Sequence, residues 1–157
     1  MISSRQLAAA GVIAAALVLP LQVSHAQQTR VMPLPQVKNI LELTKNNWVA
    51  IRDFNGRQLI YFTHIISWRC GVKELRYGLN TNTPDSTFPL PECDKLQPNA
   101  VKTDNIFLTE KLNSVTSLSV QLLFDDGSES DIHIYQPCPG ADGSTCAQRT
   151  ETIPAGQ

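Results

Sequence analysis

The 157-residue chain has no excess of basic residues and rather few charged residues of either sign. Lys and Arg number 13 against 14 Asp and Glu, and charged residues make up 17% of the chain. Proteins that bind nucleic acids gather basic side chains on one face, whereas here Lys and Arg are scattered singly among acidic residues. The composition therefore argues against a nucleic acid as partner.

Signatures of a catalytic nucleophile are also missing. The sequence contains no Gly-x-Ser-x-Gly, no Ser-x-x-Lys, no His-Glu-x-x-His and no glycine-rich phosphate loop. Catalytic triads also assemble from residues at distant positions in the sequence. The missing motifs therefore disfavour an enzyme but do not exclude one. A non-enzymatic protein is the favoured interpretation.

Motifs that hold metals or redox cofactors are absent as well. Neither Cys-x-x-Cys nor Cys-x-x-Cys-His occurs, which argues against zinc, a redox-active pair and c-type haem. The acidic runs at 125–129 and 142–144 resemble fragments of calcium loops, but they lack the alternating acids and distal Glu of an EF-hand. Turns use the same residues. The sequence therefore predicts neither a metal site nor a cofactor.

The chain does contain four cysteines, at positions 70, 93, 138 and 146. An even number of cysteines in an exported chain predicts disulfides, for which three connectivities exist. The pairs that are local in sequence are favoured, Cys70 with Cys93 and Cys138 with Cys146. The second pair closes a loop of turn-forming residues, and the first closes a longer loop rich in Asn, Thr and Pro.

The first 26 residues have the three parts of a secretory signal peptide. Arg5 provides the positive start, an apolar stretch runs from Leu7 to Leu21, and the small residues Ser24 and Ala26 form a cleavage site. The apolar stretch is shorter than the roughly 20 residues of a spanning helix, which disfavours the alternative of an uncleaved anchor. We expect cleavage after Ala26, no transmembrane segment in the mature chain, and a periplasmic or secreted location.

Removal of the signal peptide leaves 131 residues, which suits a single domain, and changes the formal net charge from −1 to −2. Residues 27–38 contain two prolines and little periodicity, which predicts an extended lead-in. Residues 39–137 are expected to form a β domain that opens with a single helical turn or a short strand at Asn39–Glu42. Residues 138–157 are expected to form a disulfide-closed loop and a flexible tail.

The clearest local signal is Asn55-Gly56, which lies between two apolar-rich runs at 48–54 and 57–63. This dipeptide favours a tight β-hairpin, because a type I′ turn needs positive φ at both central residues. A two-residue turn at this position pairs Ile51 with Ile60.

Alternation of apolar and polar residues predicts three further strands. One is expected over Val72–Leu79, followed by a proline-rich loop over 80–100, and the other two form a second hairpin over 117–124 and 131–135 with a turn at 125–128. No segment after the signal peptide shows a long 3.6-residue periodicity. The predicted fold is therefore all-β, a small antiparallel β-sandwich-like domain, and an α+β fold with one short helix is the alternative.

Two histidines follow the predicted signal peptide. His64 is expected to be partly buried and hydrogen-bonded, on the face of Ile60 and Phe62. His133 shares a strand face with Asp131, an arrangement that suits a base or a pair of metal ligands. Alternation with the neighbouring isoleucines places that face toward solvent, so ordinary structural and surface roles are favoured for both histidines.

Aromatic residues and arginines are candidates for a binding surface, because these residue types anchor protein interfaces. The candidate binding residues are Trp48, Arg52, Tyr61, Trp68 and Arg69. The first three are expected to share one face of the first hairpin. Covering the core is the commoner role for such side chains in a chain of this length.

Five short blocks of sequence carry a family resemblance. They are residues 47–53, 58–64, 68–71, 76–78 and 125–127. These blocks resemble a family of small exported proteins of alphaproteobacteria for which no activity is known. The similarity spans about residues 45–135 and includes no catalytic motif. It therefore implies a bacterial periplasmic or secreted setting and provides no information about an activity. The loop between Cys138 and Cys146 lies outside it.

These observations together predict an exported, non-enzymatic binding or accessory module of the cell envelope, with an unidentified protein or envelope ligand as its partner. The alternatives are a small periplasmic hydrolase that uses His64 or His133 and a structural component of the envelope. A concave pocket with a histidine beside a nucleophile would favour the hydrolase. An exposed apolar patch or an open sheet edge would favour the binding module.

Overall fold

The computed structural model of the chain describes residues 31–140 and 143–156. The predicted signal peptide lies outside these residues. The described elements are α1 (Leu34–Leu43), a 3₁₀ helix (Lys45–Asn47), β1 (Ala50–Phe54), β2 (Arg57–Tyr61), α2 (Thr63–Ser67), β3 (Val72–Leu79), β4 (Ser86–Phe88), β5 (Phe107–Lys111), β6 (Leu118–Phe124), β7 (Ile132–Pro137) and β8 (Ala147–Ile153).

The strands form two antiparallel sheets. Three strands make one sheet in the order β1-β2-β5, and five make the other in the order β4-β3-β6-β7-β8. The sheets approach each other where the Cys146 N–H donates to the Ile51 carbonyl at 2.8 Å. With eight strands and little helix among the described residues, the prediction of an all-β, sandwich-like domain is confirmed.

The first predicted hairpin is present with the expected register. Asn55 and Gly56 have φ angles of 51° and 73°, as a type I′ turn requires, and Ile51 pairs with Ile60. Both isoleucines are buried in the core. The strands are shorter than the predicted runs, because Trp48 follows the 3₁₀ helix and Thr63 begins α2.

Two further strand predictions are confirmed by the large sheet. β3 covers Val72–Leu79 as expected, and β6 pairs with it over its whole length. A Cβ on Gly78 of β3 would lie 2.7 Å from the Ser119 hydroxyl of β6 and 2.2 Å from the Thr83 carbonyl oxygen in the loop that follows β3. Glycine is therefore required at this position by contact rather than by backbone conformation.

The prediction of an extended lead-in over residues 27–38 is wrong for its described second half. The helix α1 begins at Leu34, five residues before the suspected start at Asn39. Proline is tolerated in a first helical turn, where an N–H has no partner within the helix. The apolar stripe that buries Val37 and Leu41 against the core then stabilises the helix.

The prediction of a flexible tail after the second disulfide is also wrong. Residues Ala147–Ile153 form β8, which pairs with β7 along the edge of the large sheet. Most of its side chains are exposed, so the segment lacks the apolar alternation by which a strand is recognised in sequence. The strand β4 is short and mostly exposed as well, and β5 places Phe107 and Leu108 side by side instead of in alternation with polar residues, so neither strand was predicted.

The core is one cluster that includes residues of both sheets and of α1 and α2. Both predicted disulfides are present: Cys70 pairs with Cys93 and Cys138 with Cys146. Disulfides are rare in the reducing cytoplasm, so this pairing indicates a non-cytoplasmic protein. Among the described residues, no helix is long and apolar enough to cross a membrane.

Candidate functional site

A groove lies where the first hairpin meets the 3₁₀ helix and α2. Its volume is about 460 Å³, within the range of roughly 300–1,000 Å³ that small-molecule sites occupy. The lining residues are Asn47, Trp48, Ala50, Arg52, Tyr61, Thr63, His64 and Thr145. We call this surface the Arg52 groove. It brings together three of the five predicted binding residues.

Arg52 is held in place at two points. It lies in β1 opposite Leu59 of β2, and its Nε–H donates to the Gly143 carbonyl at 2.8 Å. Its guanidinium carbon lies 4.7 Å from the ring centroid of Phe54, a cation–π contact with an exposed aromatic ring. These contacts restrict the orientation of the guanidinium and leave its terminal Nη groups for other partners.

Tyr61 forms a wall of the groove from the end of β2. Its ring lies 5.2 Å from that of Phe107 on β5, in a tilted arrangement that suits an aromatic pair. The side chain is half-buried. A hydroxyl and part of an aromatic surface are therefore presented to the groove on a rigid strand.

His64 contributes from α2 rather than from a strand. Its Nε2 lies 2.8 Å from the Thr44 hydroxyl, which itself donates to the Ile40 carbonyl at 2.7 Å. A hydroxyl has one hydrogen to donate, so Thr44 accepts from His64, and Nε2 carries the proton of the neutral ring. Burial lowers the pKa of His64, which favours this neutral form with an unprotonated Nδ1. The expectation of a partly buried, hydrogen-bonded histidine is confirmed.

Trp48 lines the groove but belongs to the core. It is 1% exposed, its indole N–H donates to the Leu41 carbonyl at 2.9 Å, and its ring meets the imidazole of His133 edge-on at 4.9 Å. Behind it the buried Tyr135 hydroxyl donates to the Lys45 carbonyl at 2.6 Å, and burial raises the pKa of this tyrosine. Trp48 therefore supports the groove from behind and offers little surface to a ligand.

Trp68 and Arg69 lie away from the groove. Trp68 is half-buried against the core. Arg69 is 6% exposed, and its guanidinium donates to the backbone carbonyls of Ile66, Glu92 and Pro98 at 2.9–3.2 Å. Arg69 thus holds the loop that the Cys70–Cys93 disulfide closes. Its position does not fit the predicted exposed binding surface.

The prediction that His133 faces solvent is wrong. His133 is fully buried, its Nδ1 lies 3.0 Å from the Thr152 hydroxyl, and no described residue is a partner for its Nε2. The neighbouring Ile134 is buried too, because β7 lies inside the sheet with both faces covered. Strand alternation separates an exposed from a buried face only when one face meets water.

Two other cavities lie beside the disulfides. One of about 560 Å³ adjoins Cys138–Cys146, and its Gln58 side chain already accepts from the Val115 N–H at 2.8 Å. The other, of about 590 Å³, adjoins Cys70–Cys93 and is lined in part by Arg69, whose guanidinium already donates to backbone carbonyls. Gln58 and Arg69 are thus engaged by the fold, and the Arg52 groove is taken as the candidate site because it brings together three of the predicted binding residues.

No described part of the chain gathers three or more potential metal ligands. The acidic run at 125–129 forms a turn, in which Asp126 accepts from the Ser128 N–H at 3.1 Å and pairs with Lys38. These bonds lower the pKa of Asp126 to about 2. Of the second run, Asp142 lies outside the described residues.

The groove also contains three polar residues that were not predicted as binding residues, namely Asn47, Thr63 and Thr145. Thr145 reaches it because the N–H of the adjoining Cys146 donates to the Ile51 carbonyl of β1.

Comparison of the chain with family models, curated proteins and solved structures finds no match. The family resemblance and the periplasmic or secreted location stay predictions.

Proposed function

We propose that the mature chain is an exported, non-enzymatic binding or accessory module of the cell envelope, and that the Arg52 groove holds its ligand. The two disulfides support a location outside the cytoplasm. The predicted signal peptide and the family resemblance favour the periplasm or the exterior of a bacterium.

The observation that carries this proposal is the meeting of three polar side chains in one groove. Arg52, Tyr61 and His64 come from β1, β2 and α2, and each is held in position by contacts outside the groove. Rigid polar groups in a concave surface lose little freedom when a ligand binds. Their geometry supports recognition better than it supports a structural role.

The hydrolase alternative receives less support from the same geometry. His133 is fully buried and has no route to a substrate. His64 is oriented by the Thr44 hydroxyl instead of a carboxylate, and the residues that line the groove include neither serine nor cysteine. No Asp or Glu is among the lining residues to orient His64, so the nucleophile–base–acid arrangement of the usual kind is incomplete there.

The test compares two arginine variants of the mature protein. Immobilised wild type, Arg52→Ala and the control Arg57→Ala are incubated with a detergent extract of the envelope of the source bacterium. Arg57 is an exposed residue of the same hairpin that does not line the groove. Truncating an anchor residue typically costs about 2 kcal/mol, or roughly 30-fold in affinity. We expect Arg52→Ala to lose the captured material and Arg57→Ala to retain it.

Circular dichroism and thermal melts first establish that each variant is folded. Equal capture by wild type and Arg52→Ala, or equal loss in both variants, would contradict the proposal. Chemical turnover of the captured material that depends on His64 would favour the hydrolase instead.

A further inference from the structure

We propose that the Arg52 groove selects a small anion that carries hydroxyl groups beside a carboxylate, the chemistry of an acidic saccharide. This inference rests on the proposed binding function and specifies its ligand class. It follows from the donors and acceptors that the described lining residues present.

The first part of the inference is the negative charge. Arg52 is the cationic residue of the lining, and the lining contains no Asp or Glu. Its Nε–H is engaged by the Gly143 carbonyl, so a ligand meets the two Nη groups at the end of the guanidinium. A carboxylate accepts from both of them at once, and the fixed orientation of the guanidinium favours this bidentate contact.

The second part is the hydroxyl groups. In neutral His64 the proton lies on Nε2, bonded to Thr44, so Nδ1 is an acceptor with no partner among the described residues. A carboxylate would be repelled by this lone pair, whereas an alcohol donates to it. The hydroxyls of Tyr61 and Thr63 in the same lining both donate and accept, which suits the hydroxyls of a sugar.

Other small anions fit less well. An amino acid brings an ammonium group, and the lining offers no carboxylate to receive it. A purely apolar acid would cover His64 and Tyr61 without bonding to them. Sites built to bond a hydroxyl discriminate against analogues that lack it, because their own polar groups are left unpaired.

The test uses three probes of similar size with the mature protein in isothermal titration calorimetry. Sodium glucuronate carries both the carboxylate and the hydroxyls, cyclohexanecarboxylate carries the carboxylate alone, and methyl glucoside carries hydroxyls alone. We expect glucuronate to bind, methyl glucoside to bind at least about tenfold more weakly and cyclohexanecarboxylate at least about fivefold more weakly. These are the lower bounds for losing a hydrogen bond to a charged group and for leaving a polar group unpaired.

Three substitutions assign the two parts of the preference. Arg52→Ala should weaken glucuronate by about tenfold or more, while the control Arg57→Ala should leave it unchanged. Thr44→Val keeps the imidazole and removes the partner that fixes its tautomer, so the difference between glucuronate and cyclohexanecarboxylate should shrink. Thr44 is a positioning residue here, and the ratio of the two affinities reports its role separately from any loss of stability.

The outcomes separate this inference from the proposed function. Arg52-dependent capture from the envelope extract that glucuronate fails to compete would overturn the saccharide class and leave the binding function standing. Capture of a polypeptide insensitive to glucuronate would do the same. Cyclohexanecarboxylate binding as tightly as glucuronate, or no saturable glucuronate binding at millimolar concentration, would also overturn the inference. Absence of Arg52-dependent capture in the extract contradicts the proposed function itself.

Discussion

His133 lies fully buried between the core tryptophan and the edge strand β8. Burial lowers its pKa, and the charges of Arg149 and Lys45 lower it further, while Glu42 and Asp131 act in the opposite direction. Burial also lowers the pKa of His64. The fully buried His133 and the partly buried His64 are thus both favoured as neutral rings in the folded protein under conditions where an unfolded chain begins to protonate them.

This difference predicts a loss of stability on acidification. Above the unfolded pKa of about 6.5, both histidines are neutral in the folded and in the unfolded state, so they add no pH dependence to the free energy of unfolding. As the pH falls below that value, the histidines become protonated in the unfolded chain but stay neutral in the folded protein. The free energy of unfolding therefore decreases until the pH reaches the pKa of the folded state. The slope is at most about 1.4 kcal/mol per pH unit for each histidine.

Denaturant unfolding at pH 7.5 and at pH 5.5 measures this effect above the range in which carboxylates titrate. The His64→Gln variant separates the two contributions, and an NMR titration of the His133 ring reports its pKa directly. A His133 pKa at or above 6.5, or a more stable protein at pH 5.5, would contradict the prediction.

The disulfides act at the scale of elements. Cys70–Cys93 closes a loop of sequence separation 23 that carries β4, and the buried Arg69 fixes the same loop through the Glu92 and Pro98 carbonyls. Cys138–Cys146 closes a loop of sequence separation 8 between β7 and β8. The loop lengths differ, and so does the conformational freedom that each disulfide removes from the unfolded chain.

Removing the longer loop's disulfide should therefore cost more. In the chain-entropy model the Cys70→Ser/Cys93→Ser variant loses roughly 3.4 kcal/mol of unfolding free energy, and the Cys138→Ser/Cys146→Ser variant roughly 2.6 kcal/mol. Guanidinium unfolding of the two double variants measures both values, with the oxidised wild type as reference. A larger loss for the second variant would show that native contacts, rather than loop entropy, decide the order.

At the scale of the whole molecule, one core joins both sheets with α1 and α2. Every described element from α1 to β8 lies after the predicted cleavage site. This arrangement is compatible with removal of the first 26 residues during export.

We accordingly expect the mature protein to begin at Gln27, because Ser24 and Ala26 provide the small residues that a signal peptidase reads. Intact-mass analysis and N-terminal sequencing of exported material measure the cut. A membrane-retained product that still carries residues 1–20 would contradict the prediction.

Features that depend on neighbouring residues were determined by the sequence itself. Asn55-Gly56 forces a tight turn through its positive φ angles, and the alternation over Val72–Leu79 defines β3. The two disulfides join cysteines that follow one another along the chain, at sequence separations of 23 and 8, and closing these loops costs less entropy than closing the longer loops of the crossed pairings. The turn and β3 follow from interactions within a short stretch of chain, and the disulfides follow from the spacing of the cysteines.

Only the tertiary structure decided which polar side chains are buried and which are presented to a ligand. Arg69 and His133 lie inside because carbonyls, hydroxyls and rings from distant segments surround them. β8 is a strand because β7 offers an open edge, and His64 lines the same groove as Arg52 although the two residues belong to different elements. Such contacts join residues far apart in the chain, and local patterns of apolar and polar residues do not predict them.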